Sequence, residues 1–466
     1  MTINDFWEER ILNTLNFPPT PSQAECIKKL SAFLSSRDER RTFLLNGYAG
    51  TGKTSLMSAV VKTLNDIEIE TVLLAPTGRA AKVLAAYSNH PAHSIHRHIY
   101  RQQTAYGESF ELGYNRLKNA VFIVDEASMI SSANDGGIFG SGALLDDLID
   151  FVFQGEGCTL ILVGDTAQLL PITQNTSPAL DPDFLRQYYI NITSHTLCDV
   201  VRQASESGIL TNATLLRNAM EDGTTPKLLT KQFADVMRID GSELIDAINQ
   251  AYDNYGIEEC AIVTRSNKRA TLYNRGVRAQ VLLREDELSN GDRLMVVKND
   301  YFWAEQYKGI DFIANGDMVE IVRLRHWQEL YGFRFVEATI LLADYDMEMD
   351  VMLLIDSLYA DSPSEVEALR QSLFAQVEED YSHIASKRER YKAMRQDKYL
   401  NALNVKFAYA ATCHKAQGGQ WDCVFVDFGI FDESQLDATY WRWLYTAFTR
   451  AKQKVYLVNF LDCLFE

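Results

Sequence analysis

The stretch GYAGTGKTS, residues 47–55, constrains this chain more than any other. It follows the apolar run RTFLLNG and precedes a helical pattern, the setting in which G-x-x-x-x-G-K-[ST] makes a phosphate-binding loop. Gly47, Gly50 and Gly52 let the backbone turn tightly, so that the N–H groups of the loop (Ala49, Thr51 and Ser55 among them) face phosphate oxygens at a helix N-terminus. Lys53 is suited to reach the β- and γ-phosphates of a nucleoside triphosphate, and the Thr54 hydroxyl to hold Mg²⁺. A chain with this loop is expected to be α/β.

Further apolar runs fit that expectation. TVLLAPT, AVFIVDE and TLILVGD are strand-length, end in polar residues and are separated by amphipathic stretches, as in a parallel sheet covered by helices. A second set, CAIVTRSN, FAYAATCH, CVFVDFG and KVYLVNF, comes late in the chain. Between the sets, 290–345 alternates with turns at Asn290-Gly291 and Asn315-Gly316 and predicts a small antiparallel, barrel-like sheet. A helical pattern follows from 363 to about 400. Its basic run, 387–398, reads as a solvated helix face ahead of a nucleic-acid contact.

At 466 residues, two to four domains are expected. No apolar run approaches the ~20 residues of a membrane span. The acidic, amphipathic N-terminus reads as neither secretory signal nor transit peptide. Seven dispersed cysteines without a C-x-x-C pair point to reduced thiols, hence to a cytoplasmic protein without a zinc site. His93, His96 and His98 have no cysteine or carboxylate at ligand spacing and do not read as a metal cluster. The net charge of −18 does not exclude nucleic acid, because binding follows local charge in a groove.

Asp125 and Glu126 end a strand run. Asp125 suits a Mg²⁺ ligand, and Glu126 suits a group that orients or deprotonates water. Gln168, in VGDTAQLLP, carries an amide that can sense a γ-phosphate or be an ordinary loop residue. Gln23, in PTPSQAECI, can read an adenine edge or lie on a helix surface.

Together these stretches resemble superfamily 1 helicases, most closely the RecD- and Dda-like branch, superfamily 1B. In chain order, residues 47–55 look like motif I, LLAPTGRAA (73–81) like motif Ia, HSIHRHI (93–99) like motif Ib and VDEASMI (124–130) like motif II. VGDTAQLLPI (163–172) looks like motif III, VVRQA (200–204) like motif IV, AATCHKAQGGQWD (410–422) like motif V and LYTAFTRAK (444–452) like motif VI.

The resemblance implies two RecA-like parallel-sheet domains: residues 1–199, with a pin-like hairpin at about 102–119, and 200–288 joined with 403–466. Residues 289–402 would form an SH3-like barrel plus a helical insert. It implies arginine fingers at Arg202 and Arg450, and Gln417 and Gly418 beside the nucleotide. Contacts to single-stranded DNA would come from Thr77, Arg79, His96, Asn267, Thr412 and His414. Tyr106, Phe110 and Tyr114 would stack on bases at a fork, or pack on their own domain as an ordinary hairpin.

The implied activity is ATP-dependent, 5′-to-3′ DNA unwinding by a monomer, in settings such as DNA repair or recombination. The insert at 346–402 would clamp the pin or bind a protein partner. The alternative is a DNA-stimulated translocase or a nucleotide-switched scaffold that does not unwind by itself.

Overall fold

Each of the early apolar runs becomes a strand of one parallel sheet, because a strand buried on both faces needs apolar residues at every position. The computed structural model describes residues 2–102, 110–134, 139–171, 174–199, 207–310, 312–343, 345–360, 362–430 and 435–466. Across the first sheet the order is Ala92–Ser94, Thr71–Ala75, Val121–Val124, Thr159–Gly164, Arg41–Gly47 and Asn191–Leu197. All of its pairings are parallel. The short edge strand Ala92–Ser94 and the half-exposed Asn191–Leu197 lack an apolar run, and the sequence did not single them out.

The late runs form a second parallel sheet, ordered Ala410–Thr412, Cys260–Thr264, Trp421–Asp427, Ala451–Val458 and Val236–Ile239. The resulting architecture is α/β, with two parallel-sheet domains and a small barrel inserted in the second.

That barrel closes through Arg293–Val296, Met318–Leu330, Phe333–Leu342, Met347–Leu354 and Leu403–Phe407. Two of its strands fall outside the 290–345 stretch expected to hold the sheet. Met347–Leu354 lies in the segment assigned to the helical insert, and Leu403–Phe407 lies beyond the expected boundary at 402. The closing strand pairs antiparallel with Arg293–Val296 and parallel with Met347–Leu354. That pairing is non-local, so no local pattern announces it.

The insert is two helices, Pro363–Asp380 and Lys387–Met394, rather than one. Leu373, Val377 and Met394 bury against Phe333, Phe335, Met352 and Leu354 of the barrel. Within the basic run, Arg390 faces Glu378 at 3.5 Å and Lys398 pairs with Glu337 at 3.0 Å. Among the described residues no helix is long and apolar enough to cross a membrane.

The expected hairpin has Tyr100–Gln102 paired with Phe110–Leu112. At the turn-side end of that ladder, Phe110 packs on Tyr301 of the barrel insert at 4.6 Å between ring centres and on Phe139 of its own domain at 5.0 Å.

Candidate nucleotide site and DNA-facing groove

The phosphate loop joins strand Arg41–Gly47 to helix Lys53–Asp66. Gly50 and Gly52 have φ of 76° and 81°, the left-handed region that glycine enters without a Cβ penalty. A Cβ on Gly47 would lie 2.9 Å from Lys53 Cγ, so the loop also needs glycine for close approach to its own lysine. The Lys53 ammonium donates to the carbonyls of Gly47 and Tyr48. Thr54 and Ser55, in the helix's first turn, are exposed.

Gln23 is buried rather than on a surface. Thr20 caps helix Pro21–Ser35 in a capping box whose reciprocal acceptor is the Gln23 carboxamide. The Gln23 amide then donates to the Thr51 carbonyl at 2.9 Å, joining this helix to the phosphate loop.

Asp125 and Glu126 follow strand Val121–Val124. Asp125 accepts from the Tyr87 hydroxyl at 2.5 Å and from the Glu126 N–H at 2.8 Å. Burial, and then the neighbouring Glu126 carboxylate, push its pKa up. A divalent cation would reverse that, because a bound positive charge favours the carboxylate. The exposed Thr54 hydroxyl and the Asp125 carboxyl are oxygen donors of the kind Mg²⁺ takes. Gln168 is buried, and its side-chain carbonyl oxygen has no hydrogen-bond partner, leaving a polar atom that a ligand can satisfy.

The second domain supplies the facing wall. Arg450 is buried, with its guanidinium donating to the carbonyls of Thr446 and Gly419 and lying 3.5 Å from Glu126 Oε1. The Gln417 amide donates to the Leu169 carbonyl at 3.1 Å. Gly418, at φ 72°, sits where a Cβ would come within 2.8 Å of Ala80 Cβ. Arg202 and the whole of 200–204 lie outside the described residues, as does Tyr106.

Sequence reasoning missed three contributors on helix Ala438–Phe448: Arg442, Tyr445 and Thr446. Thr446 accepts the Leu169 N–H at 2.8 Å, and Arg442 donates to the carbonyls of Thr166 and Gln168. Tyr445 and Thr446 stand in LYTAFTRAK beside Arg450, and Arg442 two residues ahead of it, all visible in the sequence, but their partners lie over 270 residues away and are not.

The residues expected at DNA divide into two sets. Thr412 and Asn267 line one pocket with Arg275, Lys406 and Lys415, because Thr264 and Thr412 pair in register and Asn267 opens the next helix. His414 is exposed beside them. On the first domain, Thr77 caps helix Gly78–Ser88, and the Arg79 guanidinium stacks 3.9 Å over Trp421 of the second domain. His96 packs edge-on to Phe139 at 4.9 Å, and burial pushes its pKa down to about 4, so the ring is neutral at pH 7. Phe110 is buried, whereas Tyr114 is 74% exposed. For Phe110, packing within the protein is the arrangement observed. Among the described residues no group of three or more His, Cys, Asp or Glu side chains could hold a metal.

Residues 20–233 match an AAA domain family, and residues 407–458 match the UvrD-like helicase C-terminal domain. Over 431 residues the chain is 24% identical to the ATP-dependent RecD2 DNA helicase of Deinococcus radiodurans, covering 89% of this chain and 46% of that protein. It thus spans about half the length of RecD2. It is 23% identical over 453 residues to the ATP-dependent DNA helicase dda of Enterobacteria phage T4, covering 91% of this chain and 95% of that one. A solved Pif1 helicase superposes with a TM-score of 0.49 at 16% identity, covering 97% of this chain and 94% of the other. The chain thus carries an AAA domain followed by a UvrD-like helicase C-terminal domain and aligns along nearly all of dda, a combination similar to that of the RecD/Dda-like helicases of superfamily 1B.

Proposed function

We propose that this chain is an ATP-dependent DNA helicase that moves 5′ to 3′ on single-stranded DNA and separates the duplex ahead of it. The observation that carries the reading is the meeting of Arg450 with Glu126, which builds one nucleotide site from both parallel-sheet domains. A site so divided is complete only when the domains are together, so nucleotide turnover and domain movement are obligatorily linked.

In this reading the loop 47–55 binds the triphosphate, Lys53 neutralises its β- and γ-phosphates, and Gln23 contacts the adenine. Thr54 and Asp125 hold Mg²⁺, which when bound neutralises phosphate charge. Glu126 orients the attacking water and takes its proton, while Gln168 contacts the γ-phosphate. Arg450, with Arg202, stabilises the charge that builds as the γ-phosphate leaves, an effect worth about 10³–10⁵ in turnover. Gln417 and Gly418 link that wall of the cleft to Thr412 and His414 on the same segment.

Thr412, His414 and Asn267 on one domain, and Thr77, Arg79 and His96 on the other, would grip the strand through its backbone. Such contacts fix register without reading sequence. Opening and closing the cleft would then shift one grip relative to the other. Tyr114, exposed two residues past the hairpin's second strand, is the described aromatic best placed to meet a base at a fork.

The test is ATP turnover with and without an unstructured single-stranded oligonucleotide. Strong stimulation by the strand is expected, and turnover indifferent to it contradicts the reading.

A further inference from the structure

We propose that Tyr445 is a positioning residue for nucleotide hydrolysis, through which docking of the second domain sets the phosphate loop and the 165–169 turn together. The inference rests on the ATPase reading above. The Tyr445 hydroxyl accepts the Ala49 N–H at 2.9 Å and donates to Asp165 Oδ2 at 2.6 Å. A phenol has one proton to give and lone pairs to receive, so one group from the second domain makes both bonds at once. Tyr445 and Asp165 are each 1% exposed, so the bond between them is shielded from solvent and losing it leaves a buried carboxyl without that donor.

Both ends of this bridge lead to groups that face the nucleotide. At one end is Ala49, in the phosphate loop itself. Its neighbour Tyr48 is capped by the Arg217 guanidinium, 4.3 Å over the ring, so the second domain holds this loop twice. At the other end, Asp165 Oδ1 accepts the Ala167 N–H at 2.9 Å, and the Asp165 carbonyl accepts the Gln168 N–H at 3.2 Å. Asp165 therefore fixes the turn that aims the Gln168 amide, and it lies within the electrostatic reach of Lys53 and Glu126.

Separating the domains removes the Tyr445 hydroxyl from both partners in one movement. The loop and the turn then lose their shared anchor, and Gln168 is free to leave the position it holds relative to Lys53. Tyr445 thus acts through Ala49 and Asp165, not on the reacting atoms.

The test uses the full chain, saturating single-stranded oligonucleotide and steady-state ATP turnover for Tyr445→Phe, Asp165→Ala and the double variant. Tyr445→Phe keeps the ring and removes only the hydroxyl. The expected result is a kcat lower by about tenfold or more, with the KM for ATP changed by less than about threefold. The double variant should be no slower than the worse single variant, because groups acting as one unit are not additive. A purely structural role would lower the thermal midpoint and leave kcat per folded molecule unchanged. If Tyr445→Phe does not fold, Asp165→Ala carries the same kcat-against-KM test. A kcat within about twofold of the unmodified chain, a loss confined to KM, or effects that multiply in the double variant would each overturn the proposal. Absence of turnover in the unmodified chain would overturn the ATPase reading, and this inference with it.

Discussion

Arg450 Nη1 lies 3.5 Å from Glu126 Oε1, and the two residues belong to different parallel-sheet domains. Arg450 is buried and held by the carbonyls of Thr446 and Gly419, so its position is set by the second domain alone. Glu126, at φ 51°, lies two residues past the strand Val121–Val124 of the first. Their separation therefore reports whether the domains are docked.

Removing the guanidinium should stop turnover while leaving nucleotide binding largely intact. Arg450→Ala is expected to lower ATP turnover by about 10³-fold or more. Arg450→Lys should restore little, because an ammonium cannot reproduce a planar fork held by several acceptors. Steady-state ATPase assays paired with fluorescent-nucleotide binding check both statements.

Gly418 is a contact point between the domains. At φ 72°, alanine there costs ~1–2 kcal/mol in backbone strain, and its Cβ would press on Ala80 at 2.8 Å. Gly418→Ala should therefore reduce strand-stimulated turnover by holding the domains apart, and small-angle scattering should show a larger radius of gyration. Unchanged scattering together with unchanged turnover would contradict this.

Asp300 gives a pH signature. Its carboxyl is held in the loop between barrel strands, accepting the Trp303 N–H at 3.0 Å, and burial pushes its pKa up to about 7. An acid with a raised folded pKa binds its proton more tightly when folded. Its stabilising share is therefore complete below the unfolded value near 4 and is lost as pH rises through about 7. Asp300→Asn keeps an acceptor and cannot ionise. The variant should match the parent in thermal midpoint near pH 4 and exceed it at pH 8, by ~1–3 kcal/mol in stability. Equal midpoints at pH 8 would contradict the assignment.

Lys53 is the residue whose loss should separate binding from movement. Lys53→Ala removes the charge proposed to face the triphosphate but touches none of the residues in the Asn267–Thr412 pocket. Unwinding should vanish while affinity for single-stranded DNA stays within about threefold, since that affinity comes mainly from phosphate contacts elsewhere. Fluorescence anisotropy with a labelled strand measures the second quantity directly.

The parts legible in the sequence are those whose constraint is local. The loop 47–55 announces itself because strand, glycines, lysine and helix are contiguous, and the buried strands because each is a continuous apolar run. Gln23 shows where locality ends: its capping box is written in TPSQ, but its contact with Thr51 is not. The closing barrel strand Leu403–Phe407 was hidden because its partners lie on the far side of two helices. Tyr445 was hidden for the same reason, since its two partners are 396 and 280 residues away in sequence. Phe110 carried two readings because an aromatic near a hairpin is equally suited to stacking on a base or on Tyr301.

A motor with a direction separates one kind of tailed duplex and not the other, and strand displacement reads that difference. Two partial duplexes, one with a 5′ single-stranded tail and one with a 3′ tail, are mixed with the protein, ATP and Mg²⁺, and release of the displaced strand is followed. The account predicts release from the 5′-tailed duplex alone. Release from the 3′-tailed duplex alone would contradict the direction, and release from neither would contradict unwinding by this chain.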